Sequence, residues 1–388
     1  MLGAGTVQTG TMSPQAQIAA ANMAGRAALL QTGIPMSQVV WNNALLPLGQ
    51  ATRLNLLRTG ITTGVMLDFT ISLDITAAMT ASPAGPWPLI NSIVYTDFSG
   101  VNRVNTSALG LWLLNTFRHN KLLHAPLAGP TGLSAIIGSV DTDILTLPTA
   151  TGATQIVYFS VYMPLAYQPN SDLRGAVPSM VNVGEHYVTI TPCAAVVSSS
   201  DCLISPYTAG TATVNNTGAY VNVTQFYIQP QSLAANMLPG IDLTTIYEIS
   251  GNNITTSGFL TGAQNLIAYP NDRSVMGAYF VYENGGTLTA NGADLSLIEL
   301  LVNSNTVFRQ FLPRTYRGIM REMAIGDVIS GAYYMPHRHQ PILTSLYATV
   351  QLRLTLGTVN AGTTKIVSQY ESLYPSGQPL AGITANAG

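Results

Sequence analysis

Charge is the first thing this sequence lacks. Only 8% of its 388 residues are Asp, Glu, Lys or Arg, against about 25% in ordinary soluble chains. Lysine occurs only at Lys121 and Lys365, and no acid precedes Asp68. With a net charge of −2, no global electrostatic attraction to nucleic acid exists, so no direct sequence-specific nucleic-acid binding is expected. Long apolar runs are missing as well. The best candidate, residues 64–79, is broken by Asp68 and Asp74, which argues against a transmembrane helix. Residues 1–13 show neither a basic stretch nor an apolar core, so a secretory signal is not expected, and an exported barrel pore loses support. Cysteine is scarce. Cys193 and Cys202 are too few for a disulfide scaffold; two free thiols are expected, with a bridge across a short hairpin as the alternative.

Catalytic signatures are absent too. Neither lysine stands in a phosphate-binding Gly-Lys-Ser/Thr context, and there is no HExxH zinc helix, GxSxG elbow or cupin-type His/Glu set. His337 and His339 alternate but lack an evident third ligand. Asp141 and Asp143 fall short of the oxygen count calcium needs. No enzyme, cofactor or metal is therefore expected. Heavy burial against copies of the same chain is what remains to explain so few charges, because obligate interfaces are more apolar than ordinary surface.

What is present reads mostly as β. Residues 65–76, VMLDFTISLDIT, alternate apolar and polar side chains, the period-2 signal. QIVYFSVYMPLAY, HYVTITP, YVNVTQFYI, GAYFVYE and YATVQLRLTL follow in the same texture. Turn clusters separate them at residues 82–86, 168–172 and 250–253, and Asn284-Gly285-Gly286 marks a hairpin. Three segments read as helical. Ser13-Pro14 opens one that Gly33 and Pro35 end, with Ile18, Met23, Ala27 and Leu30 as a modest apolar stripe. Residues 107–123 and 294–312 are the others. Asn-x-Ser/Thr sequons at Asn105, Asn215, Asn222 and Asn253 read as turns. Arg309, Arg314, Arg317 and Arg321 cluster within RQFLPRTYRGIMRE, as interface residues first and phosphate contacts second. The expectation is all-β: an arm and helix over 1–38, a first jelly-roll sandwich over 39–235 and a second over 236–388, each long enough for its own core.

Several segments together resemble one family. MSPQAQIAAANMAGRAALLQ with IPMSQVV, NSIVYTDFSGVNRVNTSALGLWLLNTFRH, VYFSVYMPLAYQPNSDLRGAVPSMV, PGIDLTTIYEIS, FVYENGGTLTANGADLSLIELL and ISGAYYMPHRHQPILTSLYATV occur in the order found in tectivirus-type major capsid proteins. Those are coat proteins of tailless bacteriophages with an internal membrane. The resemblance implies two jelly-rolls in one chain and a homotrimer of pseudo-hexagonal outline. Such trimers tile an icosahedral shell over the membrane. It also implies minor capsid and vertex proteins as partners, synthesis in the bacterial cytoplasm, and an N-terminal helix at the base of the trimer. The acid-free, Arg-bearing start of the chain then suggests that Ile18, Met23, Arg26 and Leu30 face anionic lipid. A spike-like receptor- or carbohydrate-binding jelly-roll is the alternative, but Trp41, Trp87 and Trp112 do not cluster in sequence.

Overall fold

The computed structural model describes residues 17, 25, 29–117, 147–169, 172–181, 184–197, 201–207, 213–230, 245–255, 261–262, 264–288, 295–303, 306–313, 315, 331–337, 341–357, 359–360 and 364–375. Its first half runs β1 (Ile34–Leu45), β2 (Thr52–Asn55), β3 (Ile61–Ile75), β4 (Ile90–Thr96) and β5 (Asn102–Thr106). A helix, α1 (Ala108–Phe117), follows, then β6 (Gly152–Pro164), β7 (Tyr187–Pro192) and β8 (Val214–Gln229). Two layers result, in the orders β1-β8-β3-β6 and β2-β7-β4-β5. Strand β3 shows why they pack. From Val65 on, its residues alternate between buried and half-buried, because successive side chains leave a strand on opposite faces. Val65, Leu67, Phe69, Ile71 and Leu73 share one core with Ile93, Tyr95, Val188 and Ile190 of the other layer. Each such burial contributes about 1.5–3 kcal/mol relative to exposure.

The second half repeats the plan. It contains β9 (Thr245–Thr255), β10 (Gln264–Ala268), β11 (Ser274–Asn284), β12 (Thr287–Leu288), β13 (Leu295–Val302), β14 (Thr306–Phe311), β15 (Ala332–Pro336), β16 (Ile342–Leu343), β17 (Val350–Leu356) and β18 (Lys365–Pro375). One layer is β10-β17-β13-β14; the other is β9-β18-β11-β15, with β12 and β16 also on β11. Strand for strand, both halves have the eight-strand jelly-roll order. The fold is the expected all-β double jelly-roll.

Several local expectations need correction. Residues 294–312 are not a helix but the β13–β14 hairpin, with Leu300 opposite Arg309 and Val302 opposite Thr306. Leu295, Ile298 and Leu301 mimic a helical stripe, yet β13 is buried on both faces, where a continuous apolar run serves a strand equally well. Asn303 supplies the left-handed turn residue at φ 52°. Residues 250–253 are not a turn. They lie inside β9, where the register against β18 slips between Gln369↔Gly251 and Ser368↔Asn253, a bulge that Gly and Asn tolerate. The four sequons lie in strands β5, β8 and β9 rather than turns. Strand β1 begins at Ile34, ahead of residue 39, and the expected boundary at 235/236 lies outside the described residues. The expectation of free thiols is overturned: Cys193 and Cys202 form a disulfide, their Cα atoms 5.7 Å apart, within disulfide reach. Asn284-Gly285-Gly286 does form its hairpin, closed by Asn284↔Thr287 with both glycines at positive φ.

Candidate assembly surface

Each sandwich presents sheet edges, and the two halves use them differently. The junction between halves is an edge-to-edge contact. Val104 of β5 aligns with Ile249 of β9, and Asn105 with Ser250, the one parallel pairing among the described strands. Helix α1 plugs this junction. Trp112 stacks on Trp87 at 4.3 Å, and Phe117 stacks on Tyr334 of β15 at 4.7 Å. The Gln369 side chain on β18 accepts a hydrogen bond from the Thr106 hydroxyl and donates to the Gly110 carbonyl at 3.3 Å. A Cβ on Gly110 would run into both Gln369 and Thr106. The cavity left there is only about 20 Å³, too small to weaken the packing.

Polar groups fix the loops around the junction. Arg103 on β5 pairs with Asp97 at 2.6 Å, both side chains buried, and also donates to the Gly175 carbonyl at 3.1 Å. Asp97 further accepts the backbone amides of Ser99 and Val101. Gly175, at φ +87°, lies directly against Tyr247 of β9. From the other side, buried Glu283 on β11 accepts the Ser205 amide at 2.7 Å and its hydroxyl at 3.0 Å. Lys365 donates to the Cys202 carbonyl. The Cys193–Cys202 bridge thus anchors the strap that crosses from the first sandwich to the second. His186 is buried nearby. Its Nε2 contacts the Leu57 carbonyl and its Nδ1 the Tyr95 hydroxyl, each at 3.0 Å. A carbonyl only accepts, so Nε2 carries the proton and Nδ1 accepts from Tyr95. Burial pushes this imidazole below its usual range, outweighing the Leu57 contact, which acts the other way.

The outer edges differ. Strand β1 pairs only with β8, and β14 only with β13, among the described strands. Over its 12 residues β1 has no buried position and no charge. It exposes Ile34, Met36, Val39, Trp41 and Leu45, with Val39 at 59%. Behind Met36 a groove of about 280 Å³ is lined by Leu30, Tyr162 and Phe226. Strand β14 exposes Val307, and Leu312 just beyond it is 60% exposed. Exposed apolar edges of this kind mark association surfaces.

The residues singled out from sequence fall as follows. Leu30 is half-buried beside Leu29 against Ile61, Ala166, Leu173, Ala176 and Ile228; Ile18, Met23 and Arg26 lie outside the described residues. Arg309 sits half-buried on the β14 edge; Arg314, Arg317 and Arg321 lie outside the described residues, as do His339, Asp141 and Asp143. Arg53, in the acid-free N-terminal region, pairs with Glu185 at 2.6 Å and covers the Tyr187 ring. His337 is buried, its Nε2 3.1 Å from the Tyr269 hydroxyl, and burial, then the Arg309 charge, hold its pKa down at about 3. Among the described residues no group of three metal-ligating side chains occurs. Sequence reasoning missed β1 as a surface. Its signal was an acid-free run apolar on both faces; its open edge is visible only in the sheet.

Two eight-strand sandwiches fused edge to edge, with open apolar edges and a sealed joint, define a double jelly-roll. Family models describe both halves: "P3 major capsid protein N-terminal" matches residues 6–194 and "P3 major capsid protein C-terminal" matches 244–378. The chain belongs to the P3 major capsid protein family, and is a viral major capsid protein of the virion shell. No curated protein sequence matches it. Solved structures share the fold at low identity. The crystal structure of the STIV MCP has a TM-score of 0.65 at 12% identity, over 88% of this chain and 97% of that one. The structure of Sulfolobus Turreted Icosahedral Virus gives 0.59 at 13%, over 88% and 91%. The PBCV-1 virus capsid gives 0.55 at 14%, over 88% and 93%.

Proposed function

We propose that the chain works as a homotrimer of pseudo-hexagonal outline that tiles an icosahedral shell over an internal membrane. The observation that carries this is the unbalanced set of edges. Each chain seals one junction internally and leaves the apolar edges β1 and β14 among its open ones, so burial is completed by copies of itself. The protein acts through assembly geometry and not through catalysis. The division into an arm, a first jelly-roll and a second is supported by the repeated strand order, with the arm ending before β1 at Ile34 and the two jelly-rolls meeting near 235/236. Minor capsid and vertex proteins complete the shell, and synthesis takes place in the bacterial cytoplasm. In this reading the arm faces the membrane, with Arg26, Ile18 and Met23 toward lipid. Leu30, as the last turn of the helix, contributes more to docking on the sandwich. Arg309, Arg314, Arg317 and Arg321 serve at contacts between copies or with phosphates. Native mass spectrometry at low micromolar concentration tests the trimer, expected at three times the 41.0 kDa chain mass; a monomer removes it. Equal binding to anionic vesicles by wild type and by protein lacking residues 1–31 removes the membrane contact.

A further inference from the structure

The Cys193–Cys202 bridge conflicts with the cytoplasmic synthesis proposed above. The cytosol keeps thiols reduced, and the disulfides found there are mostly transient or redox-sensing. The strap resolves the conflict, because it is held with or without the bond. Asn91 on β4 grips it directly. Its Nδ2 donates to the Asp201 carbonyl at 2.6 Å, and its Oδ1 accepts the Leu203 amide at 3.1 Å. Glu283 holds Ser205 by amide and hydroxyl, and the Ser82 amide donates to the Pro206 carbonyl at 2.9 Å. At the other end the Cys193 amide donates to the Leu89 carbonyl at 2.9 Å. None of these contacts uses a sulfur atom. A reduced Cys193 also has acceptors at hand. Its Sγ lies 3.2 Å from the Pro88 carbonyl oxygen and 3.4 Å from Asn91 Oδ1, so an S–H there gains a weak hydrogen bond in place of the bridge. Cys193 and Cys202 are 0% and 3% exposed, so no small thiol or disulfide reaches either sulfur while the strap is down.

Resting on the cytoplasmic synthesis proposed above, we infer that the pair is a redox latch. The chain folds with both thiols reduced, and the bridge closes after the protein leaves the cell, fixing the strap between the sandwiches. The oxidant is a small-molecule disulfide such as oxidised glutathione. When the strap lifts, the Cys202 thiolate attacks one sulfur of that disulfide, forms a mixed disulfide and expels one small thiolate. The Cys193 thiolate then attacks Cys202 Sγ and expels the second. Two protein thiols and one small disulfide become one protein disulfide and two small thiols, and the protons lost from the cysteines end on the expelled thiolates. Cys202 reacts first because it rides on the strap, whereas Cys193 follows directly on β7 and is held at Pro88 and Asn91. Once closed, the bridge is shielded by the same burial, so a reductant also depends on the strap lifting. Closing a loop over a sequence separation of 9 lowers the unfolding equilibrium constant on the order of a hundredfold.

Thiol trapping of the full chain tests the latch. Cells making the protein are quenched with acid, fractionated, and their proteins denatured and alkylated with N-ethylmaleimide without reductant. The purified protein is treated the same way after oxidised glutathione. Expected are two labels on the cytoplasmic protein and none on the oxidised one, with circular dichroism showing the same fold in both states. Cys193→Ser should stop at a mixed disulfide on Cys202, read by mass, and Cys202→Ser should form none. The native oxidised protein should resist a reductant concentration that opens the bridge fully in urea. A bridge already present in the cytoplasmic fraction overturns the latch and leaves the synthesis reading standing. Protein recovered only outside that fraction removes the synthesis reading and the latch with it. Two labels persisting after oxidised glutathione, or a reduced wild-type chain that is unfolded, also overturn the latch.

Discussion

The junction between the sandwiches and the outer edges of the same sandwiches are built from equivalent strands, yet they are finished differently. At the junction, β5 and β9 are covered by α1, tied by Gln369 and Arg103, and strapped by the segment leaving Cys202. At the outer edges, β1 and β14 carry exposed valine, leucine and isoleucine, with Arg309 the one charged residue on these two strands. The contrast teaches that apolar surface alone does not make a finished joint. The internal joint adds buried polar groups that fix one alignment, and the outer edges keep apolar surface for a partner to cover.

The largest effect should come from opening the junction. Arg103→Ala leaves Asp97 buried without its cation, and breaking such a pair costs about 3–5 kcal/mol; a urea titration that finds less than 1 kcal/mol would show the joint does not depend on it. Removing the strap is next. Replacing Cys193 and Cys202 by Ala opens a loop closed over a sequence separation of 9, and loop-closure entropy sets the loss at about 2–3 kcal/mol. Thiol labelling of denatured, unreduced wild type should modify neither cysteine, and labelling of both would refute the bridge. Gly110→Ala presses a methyl group against Gln369 and Thr106 and should cost about 1–3 kcal/mol as overpacking, read as a lower thermal midpoint. An unchanged midpoint would mean α1 can shift freely.

The outer edge should respond to acid. His337 is neutral in the fold, with its pKa held at about 3 by burial and by Arg309 on β14, while the unfolded chain binds that proton near pH 6.5. The unfolded state therefore takes up more protons between those values. Stability is complete above about pH 6.5 and falls as pH drops toward 3, by about 1.4 kcal/mol per pH unit from this group. His337→Gln should flatten that slope in urea titrations at pH 7, 5.5 and 4.5, and parallel curves would rule the group out. The smallest folding effect belongs to Val39→Asp on the exposed β1 edge. It should move unfolding by no more than about 0.5 kcal/mol while lowering the trimer fraction at low micromolar concentration. A large loss of folding stability with trimers intact would reverse the comparison between edge and junction.

Much of this protein was legible in the sequence. The alternation in residues 65–76, the Asn284-Gly285-Gly286 turn and the helix opening at Ala108 are set by local rules: side-chain period, positive-φ tolerance and helix propensity. The scarcity of charge pointed to assembly because solubilising groups are missing over the whole chain. Other features depended on neighbours far along the chain. Residues 295–311 became a hairpin because both faces of β13 are covered, and Gly251 entered a bulge because β18 lies beside it. The Cys193–Cys202 bridge followed once the chain returned the two Cα atoms to within 5.7 Å of each other. Arg103, Asp97 and Gln369 carry no local pattern, and their partners are set by how β4, β5, β9 and β18 are arranged. The open edges of β1 and β14 could not be read from sequence at all. An edge is a missing neighbour, and only the order of strands in the sheets, fixed by long-range pairing, decides which strand has none.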